Sequence, residues 1–174
     1  YFKVPTIFNF RKNDIIYQGN GAPLVPFLDW LLFKEHSKDI ILLNIGGISN
    51  VTYINTEGKR SNVIGFDTGP GMCMIDNYVK RIWNNSMDYN GKYSNKGKVI
   101  SSVLDILMNN SFIKKQPPKS ACISTFDLNI ILDDISLEVD EYPESFLRTL
   151  VSFTSKSISY NINKFIKFKD DCDL

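Results

Sequence analysis

Two glycine clusters, "NIGGISN" (44–50) and "GFDTGPG" (65–71), each close an apolar run, and the second carries a carboxylate, Asp67. Without a Cβ at Gly46 or Gly47, consecutive backbone amides can approach an anion such as a phosphate. The same pair also suits a bulged hairpin. Neither the G-x-x-x-x-G-K-[ST] spacing of a P-loop nor the G-x-G-x-x-G of a dinucleotide fold is present, which removes both of those readings. Asp67 stands at a strand end, followed by the stiff turn Thr68-Gly69-Pro70-Gly71. A carboxylate fixed there can take a proton from an attacking hydroxyl or water, or it can simply cap the turn. Upstream, Arg11 in "FRKND" offers a planar fork for carboxylate or sugar oxygens, or forms a solvated pair with Lys12. "GNGAPLVP" (19–26), with Asn20 and Gly21, reads as a pocket wall more than a hairpin.

The elements that must position these groups follow from periodicity. "PTIFNF" (5–10) and "IIYQ" (15–18) read as short extended pieces, and "FLDWLLFKE" (27–35) as a short amphipathic helix. "IILLNI" (40–45) is an apolar run of the kind found in a buried central strand. "VTYIN" alternates as a strand, "EGKR" (57–60) reads as a hairpin turn, and "NVIGFD" (62–67) returns, giving a three-stranded meander. "MCMIDNYVKRIW" (72–83) has Met72, Ile75, Val79 and Ile82 at helical spacing, so its first amides could face a ligand. Asp76 there supports Asp67 or the turn, or is polar surface. A helix is expected over 98–114, stopped by Pro117 and Pro118, and a long one from about Pro143 through Phe146, Leu150, Phe153, Ile158, Ile162 and Phe165.

The bulk composition narrows the function classes. At 174 residues the chain is one domain or one large piece of a bigger protein. Twenty basic and nineteen acidic residues leave a net charge of +1, so no global field draws it to nucleic acid or to a membrane surface. No apolar stretch reaches the ~18–20 residues of a membrane span. Three widely spaced cysteines, Cys73, Cys122 and Cys172, suit neither a disulfide framework nor a zinc site and point to a reducing, cytoplasmic setting. The single histidine, His36, lies in the polar stretch "FKEHSKD" and reads as surface. The first residue is not Met and no signal pattern opens the chain, consistent with an excised segment.

In this order, "NFR", "GNGAPLVP", "LNIGGISNVT" and "GFDTGPG", with "YNGKYSNKGKV", "PPKS" and "YPESFLRTLVSFTSKSI" after them, resemble the anhydro-N-acetylmuramic acid kinase family. The resemblance covers most of the chain. It implies an α/β fold: a ribonuclease H-like lobe of the actin and sugar-kinase superfamily, with a mixed β-sheet flanked by helices. Residues 1–36 would be the end of the first lobe and a connector, and 37–174 most of the second. It also implies a reaction in cell-wall recycling, in which the 1,6-anhydro bridge is hydrolysed while the γ-phosphate of ATP passes to the 6-oxygen. Asp67 would be the base that activates the water. Arg11, Asn20 and Gly21 would contact the anhydro-amino-sugar. Asn44, Gly46, Gly47 and Asn50, with Thr68, Gly69 and Gly71, would lie near the nucleotide phosphates, bridged by Mg²⁺ rather than by a dedicated protein metal site. Family members commonly pair, which implies a homodimer.

Departures from the family pattern concern the same site. The family's N-terminal "MSGTSxDGxD" loop and its late "GGG" motif are absent from these 174 residues. Asn9 replaces the Asp of "DFR", Asn20 the Gln of "GGQGAP", and Met72 the Asn after "GPG". "SACISTF" stands where the family has "STGRE", losing an Arg and a Glu. Two alternatives to the active kinase follow: a truncated, non-catalytic remnant, or a kinase for a different sugar. A piece of this length is expected to transfer no phosphate unaided and to leave apolar surface that a partner lobe would cover.

Overall fold

The computed structural model describes residues 3–133, 135, 139–167 and 172–173. Its sheet has the order β3-β2-β1-β4, where β1 is Asp39–Ile45, β2 Ile48–Ile54, β3 Ile64–Pro70 and β4 the two residues Cys172–Asp173. The first three strands are antiparallel and β4 runs parallel to β1, so the sheet is mixed. Gly46 and Gly47 are the whole connection between β1 and β2, which gives the expected meander its tightest corner. A register shift at Ser49/Asn50 leaves Thr68 as an extra residue that bulges β3 against β2, so Ser49 opposes Gly69 while Asn50 opposes Asp67.

Side-chain alternation separates the two faces of the sheet. Two short helices precede it, α1 (Lys12–Ile16) and α2 (Val25–Phe33). Thr52 donates to Asp29 Oδ2 at 2.6 Å, and Gly65 lies against the Pro26 ring, so α2 covers one face. On the other, Val51 and Phe66 are fully buried, and Phe66 meets Phe165 edge-on at 6.2 Å. The helices after the sheet are α3 (Cys73–Trp83), α4 (Ser101–Met108), α5 (Ser111–Lys114), α6 (Leu128–Asp133) and α7 (Pro143–Phe165), the last being the long helix expected from Pro143. The main core lies between α3, α4 and α7, where Tyr78 and Phe146 are fully buried with ring centroids 4.8 Å apart, and α6 adds Leu128 and Ile131 to it. Among the described residues no helix is long and apolar enough to cross a membrane.

Several local expectations are corrected. Residues 5–10 form no strand: they are exposed and pair with nothing in the sheet. The piece expected to be extended at 15–18 begins inside α1, and Gln18 turns the chain at φ 65°. The strand "IILLNI" is buried only at its start, and Asn44 and Ile45 are exposed. The turn expected at 57–60 is part of a longer loop with Gly58 at φ 61° and a 3₁₀ turn at Arg60–Asn62. The helix expected over 98–114 is two, because the Asn110 side chain accepts the Phe112 amide at 2.9 Å and starts α5. Asparagine competes well as a cap and poorly as a helix interior. The helix expected at 27–35 is α2, but it buries no residue completely.

Candidate functional site

Asp67 sits in β3, the strand at the sheet's edge, and is 5% exposed. Its amide donates to Lys119 O at 3.1 Å, so the segment after Pro118 runs along the strand edge as a partner. One carboxylate oxygen, Oδ2, accepts from the Ala121 amide at 2.7 Å and from Ser120 Oγ at 3.2 Å. The other, Oδ1, accepts no hydrogen bond from the described residues, and it is not among the sealed unpartnered atoms, which are Asn55 Oδ1, Asp76 Oδ1 and Asn161 Oδ1. Burial pushes the Asp67 carboxyl above its ordinary value, against the Ala121 and Ser120 donors and the charges of Arg11 and Lys119. The carboxylate is therefore clamped on one side only.

The glycine clusters meet. The Gly71 and Cys73 amides donate to Gly47 O at 2.9 and 3.2 Å, and the Met72 amide to Gly46 O at 2.8 Å. A Cβ on Gly71 would run into the Gly46 carbonyl, so only glycine permits this approach. These carbonyls replace a side-chain cap at α3, and the amides expected to face a ligand are engaged there instead. The amides of Gly46 and Gly47 themselves have no partner among the described residues, and Gly47 is exposed.

The other expected residues divide into two groups. Arg11 is exposed at the start of α1, and its charge acts on Asp67. A Cβ on Gly21 would meet the Arg11 Cβ at 3.3 Å, so these two are neighbours, while Asn20 is exposed. Asn44 is exposed and Asn50 half-buried across from Asp67. Thr68 turns to the far face: fully buried, it shares a 2.7 Å hydrogen bond with Ser49 Oγ, and its carbonyl accepts from Asn161 Nδ2 at 2.9 Å. Gly69 packs against Ser157 and Ile113, and the Gly71 carbonyl accepts from Thr154 Oγ1 at 2.9 Å. Asp67 is therefore not at a strand end as expected: Thr68, Gly69 and Pro70 continue β3 in place of the expected turn, and α7 holds this end of the strand from behind. Asp76 stands a turn into α3, its carboxyl pushed up by burial.

Residue-by-residue reading did not single out Lys119, Ser120 and Ala121. The signal is available: Lys119 lies in the "PPKS" motif that carries the resemblance, and Ser120 and Ala121 open the segment that departs from the family pattern. That segment also reaches the first cluster: Ile123 Cδ1 is 3.7 Å from where a Gly47 Cβ would be. One stretch of chain therefore contacts both the carboxylate and the twin glycines.

Fold and site together define a mixed α/β protein whose strand tips turn on glycines beside a single half-clamped carboxylate. Residues 2–172 match the profile of the family described as anhydro-N-acetylmuramic acid kinase, and the chain belongs to that family. It is 40% identical over 160 residues to an anhydro-N-acetylmuramic acid kinase of Bacillus cereus. Identity is 39% over 160 residues to those of Bacillus thuringiensis (strain Al Hakam) and Bacillus anthracis. Each match covers 92% of this chain and 42% of the relative, so the chain spans less than half the length of these proteins.

Proposed function

We propose that this chain is the base-bearing part of an ATP-dependent kinase that converts 1,6-anhydro-N-acetylmuramic acid to N-acetylmuramic acid 6-phosphate, opening the anhydro ring, in cytoplasmic cell-wall recycling. Its sheet and helices would form most of the second ribonuclease H-like lobe (37–174), with residues 1–36 ending the first lobe and leading into it. Family membership and the half-clamped Asp67 support this reading. The latter carries it: with Oδ2 held by Ser120 and Ala121, Oδ1 is left to take a proton from the water attacking the anomeric carbon. A carboxyl raised by burial is the stronger base for that step at neutral pH.

Arg11, beside Gly21 and near Asn20, would hold the sugar. The open amides of Gly46 and Gly47, flanked by Asn44 and Asn50, suit phosphate oxygens, whereas Thr68, Gly69 and Gly71 would shape the end of β3 behind them. ATP would supply the γ-phosphoryl group for the 6-oxygen. Among the described residues no group of three or more His, Cys, Asp or Glu side chains could cage a metal. Mg²⁺ would enter on the nucleotide phosphates. Pairing of two copies is the family's expectation, and light scattering tests it.

The test is ATP-dependent phosphorylation of the anhydro-sugar by the family-length protein carrying this segment. Asp67→Asn should lower turnover by ~10²- to 10⁴-fold. It should also raise the thermal midpoint at pH 7, because a carboxyl raised in the fold is one whose charge the fold disfavours. Full turnover in the Asp67→Asn protein refutes the role. A second reading, a kinase for a different sugar, is favoured by one observation: the divergent Ser120–Phe126 stretch touches both Asp67 and Gly47. Calorimetric titration with several anhydro-sugars separates the two.

A further inference from the structure

Lys119 is an unusual residue to find where it lies. It is fully buried, and its ammonium faces the rings of Phe112, Phe165 and Phe66 at 4.9, 5.2 and 6.0 Å. A leucine or methionine would fill that space without the cost of desolvating a charge. Two of its three N–H donors reach the carbonyls of Phe112 at 3.0 Å and Ile113 at 3.1 Å, in the short helix α5. Its own carbonyl receives the Asp67 amide, and the next two residues supply both donors to Asp67 Oδ2. One residue thus ties α5, the aromatic cluster and the carboxylate's anchor together.

We propose that Lys119 is a positioning residue for Asp67: its ammonium, locked on the α5 carbonyls, fixes the 119–121 segment so that Oδ2 stays occupied and Oδ1 alone is presented, and its charge steadies the ionised carboxylate. The inference deepens the kinase reading and rests on it for the meaning of Oδ1. The charged groups that act on the pair are Arg11 and Lys119 on Asp67, and Asp67 and Lys115 on Lys119. Burial lowers the Lys119 ammonium to about 8, and the Asp67 charge opposes that fall.

The test is site-resolved titration by NMR of the 174-residue chain, without ATP or sugar. In Lys119→Met the Asp67 carboxyl should titrate higher than in the wild type, having lost an opposite charge and a rigid anchor. Ser120→Ala should move it the same way, and Lys119→Arg should restore it toward the wild-type midpoint. A Lys119→Met protein that retains its helical circular dichroism but shows an unmoved Asp67 midpoint overturns the proposal and leaves Lys119 a packing residue. The reciprocal measurement leaves the aromatic cage intact. In Asp67→Asn the Lys119 ¹⁵Nζ midpoint should fall below its wild-type value, and an unchanged midpoint overturns the proposal even if Lys119→Met does not fold. Because neither titration involves phosphoryl transfer, an inactive family-length protein refutes the kinase reading alone, and unlinked titrations refute this one alone.

Discussion

Residues 3–36 and residues 39–167 bring similar apolar side chains to opposite ends. In the later region Tyr78, Phe66, Phe126 and Phe146 are fully buried. In the earlier one Phe8, Phe10 and Tyr17 are 78%, 71% and 85% exposed, and neither α1 nor α2 buries a residue. The difference is one of available partners: α3, α4 and α7 face one another, whereas α2 meets one face of the sheet at Thr52 and Gly65 and the loop at Gly58, whose carbonyl accepts from Trp30 Nε1 at 2.7 Å. An amphipathic pattern guarantees an apolar stripe but not something to lay it on.

Substitutions sharpen that contrast. The largest loss of stability should come from Phe146→Ala, which empties a sealed site where α7 packs on Tyr78 of α3 and should cost ~3–5 kcal/mol in urea unfolding. Next is Gly71→Ala, whose methyl would push the Gly46 carbonyl away. About 1–3 kcal/mol and a weakened link between the glycine turns are expected, read by the same unfolding and by amide exchange at Met72 and Cys73. A pH-dependent effect belongs to Lys119. Its folded value of about 8 lies below the ~10.4 of an unfolded lysine. Between those values the unfolded chain binds more protons, so the wild type should gain stability on Lys119→Met as the pH rises from about 8 to about 10. Cys73 and Tyr78, both pushed up by burial, are common to the two proteins and cancel. The smallest effect should be Phe8→Ser, within about 0.5 kcal/mol of the wild type, with reduced aggregation in light scattering. A large loss there would erase the contrast between the regions.

What could be read from the residues followed how locally each feature is determined. The meander, α3 and the long α7 were readable because apolar periodicity and Pro143 define them within a few residues. The false strands at 5–10 and 15–18 arose because Ile and Phe at short range look extended whether or not an edge exists to pair with. The split at Asn109–Asn110 turned on one side-chain cap that outcompetes helix continuation. At the site, Asp67 and the glycines were visible as residue types. Their supports were not: Ser120 and Ala121 lie 53 and 54 positions away from Asp67, and Thr154 lies 83 from Gly71. Such pairings depend on topology, which spacing alone does not contain.

The carbonyls of Gly46 and Gly47 already grip the chain as it enters α3. The two loops therefore travel as one body, and a strain applied to the first hairpin is delivered to the tip of β3 without any intervening side chain.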